Sequence, residues 1–70
     1  MLMQSKRTII GYVISDPAGL YSKTPEYGVG CLSAARAEAD ALNDDFADEL
    51  DGGSFAVMKV YADGEAELLT

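Results

Sequence analysis

The sequence predicts an α+β domain in which one amphipathic helix packs on a four-stranded antiparallel sheet, in the order β-β-α-β-β. Three observations predict it. β-branched and aromatic runs lie toward both ends of the chain, each beside a tight-turn signal. A central segment rich in alanine and acid carries an apolar stripe at helical spacing. Two hairpins flanking one helix can join into a sheet with the helix across one face, a two-layer arrangement that buries both apolar surfaces. Seventy residues suffice for one core, so 1–70 is read as a single domain.

Thr8 to Ser15, T-I-I-G-Y-V-I-S, supplies the first strand. Asp16-Pro17-Ala18-Gly19 fits a type I turn closed by a left-handed glycine. A second strand through Leu20, Tyr21, Ser22 and Lys23 would complete that hairpin. Pro25, Gly28 and Gly30 make Thr24 to Gly30 an irregular loop, with room for a short extra strand around Tyr27 to Val29. Ser33 is a good N-cap for a helix from Ala34 to Leu50, which Asp51-Gly52-Gly53 stops. Ala35, Ala39, Leu42, Phe46 and Leu50 share one face of it and form the core stripe. Ser54 to Ala62 reads as a strand, and Asp63-Gly64 is a strong hairpin signal leading into a last strand, Glu65 to Leu69.

The strands are apolar on both faces. Ile9 and Val13 oppose Ile10, Tyr12 and Ile14, while Phe55, Val57 and Tyr61 oppose Ala56, Met58 and Val60. One helix covers one face, so the other is expected to meet a partner, a second copy or the folded-over 24–30 loop. The two sides of the Phe55 to Ala62 strand are too alike to say which one the helix covers.

Twelve acidic against five basic residues give a net charge of −7, which repels nucleic acid and anionic membranes and calls for a basic partner. No apolar run approaches the ~20 residues that span a bilayer. A single cysteine, Cys31, and no histidine exclude an internal disulfide and the usual Cys/His zinc sets. The lone cysteine, and a Met1 to Arg7 start without a long apolar segment, point to the cytoplasm. A core of this size supplies at most roughly 3–5 kcal/mol, which leaves association as the remaining stabilising device.

No catalytic constellation stands out. Cys31 has no histidine to activate it and reads as a small buried hydrophobe, so an enzyme subunit built on it is the weakest reading. Gly28 and Gly30 are a fragment of a phosphate loop without its lysine. Asn43, Asp45 and Ala47 break the calcium-loop pattern. The expectation is therefore a protein that is not an enzyme, with no metal and no cofactor.

The charge pattern carries the functional signal. Glu38, Asp40, Asp44, Asp45, Asp48, Glu49 and Asp51 crowd the expected helix and its end, with Arg36 alone in opposition. Asp40, Asp44 and Asp48 stack at four-residue spacing, as do Asp45 and Glu49, and like charges so placed destabilise a helix. Acids in its last turn also oppose the helix dipole. Rules broken without local compensation mark functional sites, although a solvated acidic face also keeps a small protein soluble. Rows of carboxylates on a rod imitate a nucleic-acid backbone and suit a Lys/Arg groove. Tyr21 and Tyr27, beside the loop, are the aromatic residues assigned to the same interface, whereas Tyr12 and Tyr61 read as strand packing.

In size, charge and strand-helix-strand layout around C-L-S-A-A-R-A-E-A-D-A-L and F-A-V-M-K-V, the chain resembles the small acidic proteins of phages and mobile elements that include the anti-CRISPRs. That family has no common motif, so the resemblance implies a behaviour and no particular residue. It implies a phage-type inhibitor that sterically occupies a DNA-receiving surface of a host CRISPR-Cas complex. The alternative expectation is a homodimeric structural or assembly protein whose exposed sheet face, with Val13 and Val57, forms a symmetric interface.

Overall fold

The computed structural model describes residues 8–69; the Met1–Arg7 stretch, read above for a secretory signal, lies outside them. Strand β1 is Ile9–Ser15, helix α1 Leu32–Asp45, strand β2 Ala56–Tyr61 and strand β3 Ala66–Leu68, with 3-10 turns at Val29–Cys31 and Ala47–Glu49. The sheet is antiparallel and three-stranded, in the order β1-β2-β3. The α+β class is as expected. The four strands and the β-β-α-β-β order are not: among the described residues the order is β-α-β-β, and Leu20 to Lys23 form no strand.

Two matched turns show why one hairpin is missing. At the first, the Asp16 N–H donates to the Leu20 carbonyl (2.9 Å) and the Gly19 N–H to the Asp16 carbonyl (2.8 Å). At the second, the Tyr61 N–H donates to the Glu65 carbonyl (2.8 Å) and the Gly64 N–H to the Tyr61 carbonyl (3.0 Å). Gly19 and Gly64 both sit at φ 90°, where glycine carries no steric penalty. Only the second turn continues into a ladder. After Leu20 the chain bends at Lys23 and Thr24, where the Ser22 Oγ accepts the Thr24 N–H (3.1 Å), and Pro25 has no N–H to give a ladder.

The returning chain takes the vacant edge of β1 instead. The Tyr12 N–H donates to the Tyr27 carbonyl (2.8 Å), and the Glu26 and Tyr27 N–H groups donate to the Tyr12 carbonyl (2.9 and 3.0 Å). The short strand expected around Tyr27 to Val29 is thus a single bridge, Tyr12 to Tyr27, followed directly by a 3-10 turn. Gly11 permits the approach: a Cβ there would collide with the Tyr27 carbonyl and the Pro25 ring.

The pairing of β1 with β2 shifts register between Ile9 and Gly11. This bulge moves Ile9 onto the face of Tyr12 and Ile14, correcting the strict alternation that placed Ile9 beside Val13. The helix covers that face. Tyr12, Val57, Ala35 and Ala39 form the buried cluster, and Ile9, Ile14, Tyr27, Leu32 and Leu69 pack against it. Alanine at 35 and 39 lets the helix lie close on the sheet. On the opposite face Val13 and Val60 are each only 1% exposed. Neither Val13 nor Val57 therefore offers the exposed sheet surface that the homodimer expectation used.

The helix starts and stops earlier than expected. It is entered through the Val29–Cys31 turn with Cys31 at the cap position, so Ser33 lies inside it and caps nothing. It ends at Asp45 because Asn43, Asp44 and Asp45 are poor helix formers placed in succession. The Phe46 N–H still reaches the Leu42 carbonyl (3.0 Å), and Ala47–Glu49 continues as a 3-10 turn. Asp51 (φ 49°) and Gly52 (φ 88°) then form a type I′ turn, with the Gly53 N–H donating to the Leu50 carbonyl (2.9 Å). Of the expected stripe, Ala35 and Ala39 are buried, Leu42 and Leu50 half-buried, and Phe46 exposed, its ring 5.9 Å from that of Phe55.

Candidate functional site

Successive helical residues are turned by about 100°, and that rotation sorts the carboxylates of α1 into two groups. With Ala35 and Ala39 against the sheet, the outward side of the helix carries the row Ala34, Ala37 and Ala41, all exposed, with Asp44 also pointing outward beside Ala37. Asp40 and Asp44 fall on one flank of this alanine crest, and Glu38 and Asp45 on the other. Beyond the helix, Asp48 and Glu49 occupy the 3-10 turn and Asp51 the following β-turn. The continuous rows 40-44-48 and 45-49 do not form, because the helix stops before Asp48 and Glu49; Asp40 and Asp44 alone keep the four-residue stacking on α1.

Each flank has a distinct neighbour. On the Glu38 side stands Tyr27, half-buried against the core. Its phenol is held above the usual tyrosine range, first by partial burial and then by the Glu38 and Glu26 carboxylates. On the Asp40 side α1 leaves β3 uncovered and a groove of about 300 Å³ opens, lined by Arg36, Asp40 and Asn43 on the helix wall and by Phe55, Val57 and Leu69 on the sheet side. Tyr21 is exposed just beyond the Asp16–Leu20 turn, so the two tyrosines assigned to one interface have different surroundings: Tyr27 is part of the packing, Tyr21 is free of it.

Glu38, Asp40, Asp44, Asp45, Asp48, Glu49 and Asp51 are all exposed, and none lies within 4 Å of a cation among the described residues. The ion pair seen there joins Lys59 Nζ to Glu67 Oε1 at 3.7 Å, where the Tyr61 hydroxyl also donates to Glu67 (2.7 Å). Both lie away from the acidic region. No family model, curated protein or solved structure is significantly similar to the chain.

Cys31, expected to be buried, is exposed at the helix entrance. Among the described residues no three His, Cys, Asp or Glu side chains converge in a way that could hold a metal, and no helix is long and apolar enough to cross a membrane. Two residues that matter here were not singled out from the sequence, Arg36 as a groove residue and Asn43 as the tie between helix and sheet. The signal for Asn43 was its place, beside the apolar stripe and at the point where helix propensity fails.

Proposed function

We propose that the chain is a non-enzymatic binding protein that seats its acidic helix region in a basic, nucleic-acid-receiving groove of a partner and blocks it sterically. One observation carries this reading: the carboxylates from Glu38 to Asp51 are exposed and have no counter-ion within 4 Å among the described residues. Their division into two flanks supports a groove over a flat patch. Lys and Arg on opposite walls would meet the two flanks, while the small Ala34-Ala37-Ala41 crest lets the helix sink between them. Charge complementarity of this kind gives fast, salt-sensitive association. The resemblance to the anti-CRISPR type makes a host CRISPR-Cas effector the proposed partner and the bacterial cytoplasm the proposed compartment.

The test is capture of partners from bacterial lysate on the immobilised protein at low and moderate salt, with the Asp44→Asn/Asp45→Asn/Asp48→Asn variant alongside. Retention of a nucleic-acid-binding complex by the parent protein, released by salt or competing nucleic acid and lost in the variant, is the expected result. Equal retention by the variant would remove the charge-mimic reading.

A further inference from the structure

The groove beside α1 carries one charge of each sign on its helix wall. Arg36 and Asp40 both line it, one helical turn apart, yet no ion pair joins them and neither has an opposite charge within 4 Å among the described residues. The order explains this in part: a basic residue placed N-terminal to an acid at four-residue spacing is the weaker arrangement within a helix. Both groups are left available to something outside the chain.

The sign pattern restricts what that can be. A simple anion approaching Arg36 meets the Asp40 carboxylate on the same wall, and a simple cation meets the Arg36 guanidinium. A wall bearing plus then minus is complemented by a wall bearing minus then plus. A two-fold axis generates that surface from the protein itself, because in an isologous contact residue i of one copy meets j of the other and j meets i. We infer that a second copy of this chain docks at this groove, with the two α1 helices antiparallel and Arg36 of each copy paired with Asp40 of the other.

The surroundings fit this occupant. Phe55 and Leu69, both half-buried, give the groove an apolar floor, and Phe46, next to Phe55, is 41% exposed. A second copy would cover these residues and supply the association that a core of this size calls for. The exposed residues Ser33 and Ala37, beside the Arg36 to Asp40 turn, are small and allow two helices to approach closely. The contact shares Asp40 and Ala37 with the face proposed to enter a basic groove, so the dimer and the partner-bound form are alternatives; Glu38, Asp45, Asp48, Glu49 and Asp51 lie outside it.

Sedimentation equilibrium over a range of protein concentrations tests the inference with a charge swap. The parent protein is expected to reach twice its 7.4 kDa mass. Arg36→Asp and Asp40→Arg, each replacing two attractions by two repulsions across the axis, should weaken the dimer about 10-fold or more. The double variant Arg36→Asp/Asp40→Arg restores both pairs with signs exchanged and should return dissociation to within about 3-fold of the parent. Far-UV circular dichroism establishes that each variant is folded. A parent protein that stays monomeric to millimolar concentration, or a double variant no better than the single ones, overturns the inference.

Discussion

The side-chain amide of Asn43 and the main chain of Phe55 form a two-point ring: Asn43 Nδ2 donates to the Phe55 carbonyl at 3.0 Å, and the Phe55 N–H donates to Asn43 Oδ1 at 2.6 Å. Asn43 thereby acts as one residue of a strand while belonging to a helix, and it fixes the end of α1 to the start of β2. Replacing it by Leu, close in size but unable to pair, should leave both Phe55 groups unsatisfied in a half-buried place. A loss of about 1–3 kcal/mol is expected, read as a lower urea midpoint at unchanged slope.

Gly53 lies against Pro17, where a Cβ would stand 2.5 Å from the Pro17 carbonyl oxygen. Both partners are backbone and neither can swing aside. Gly53→Ala should therefore cost roughly 1–3 kcal/mol. Gly28→Ala is the matched control, since Gly28 is extended with nothing within 4 Å of the added atom. It should change stability by no more than about 0.5 kcal/mol in the same denaturation series.

The last turn of α1 holds Asp44 and Asp45 and no basic residue. Asp45→Lys places a cation at the negative end of the helix dipole and removes a carboxylate from a crowded region. Stability should rise by about 0.3–1 kcal/mol at low ionic strength, with the gain fading as salt is added. If Asp45 also contacts a basic partner, the same change weakens capture, so stability and binding should move in opposite directions.

The raised Tyr27 pKa predicts a loss of stability at alkaline pH. The folded value lies above that of the unfolded chain, through partial burial and then through Glu38 and Glu26. The folded state therefore holds the phenolic proton more tightly. That contribution is complete below the unfolded value near 10 and is lost as pH rises through the folded value. Thermal melts across pH 9 to 12 should show a falling midpoint, and Tyr27→Phe should flatten that fall. A decline of the same steepness in the variant would assign it to other groups.

What could be read in the sequence was what local chemistry determines. Asp63-Gly64 makes its hairpin, Asp16 to Gly19 its turn, and Ala35 and Ala39 mark the buried side of the helix. What could not be read depended on residues far apart in the chain. Nothing local to Leu20-Tyr21 shows that the edge of β1 is filled by Tyr27, or that Gly11 is bare so that Pro25 can pass. Nor does strict alternation reveal the bulge that brings Ile9 to the helix side. The acidic residues were legible as a group. Their division into two flanks followed only once the end of α1 at Asp45 was known.

The bridge at Tyr27 has a consequence for self-aggregation. β1 is the longest strand, and with its outer edge open it would offer unpaired main-chain groups in an apolar segment, a template on which further chains could stack. A single residue, returning from a loop, occupies the Tyr12 position of that edge on both its donor and its acceptor sides. The opposite edge of the sheet belongs to β3, which spans Ala66–Leu68 and carries the charged Glu67 at its middle. The pairing that keeps a further strand off the middle of β1 thus rests on Gly11 and Tyr27, one giving way so that the other can reach Tyr12.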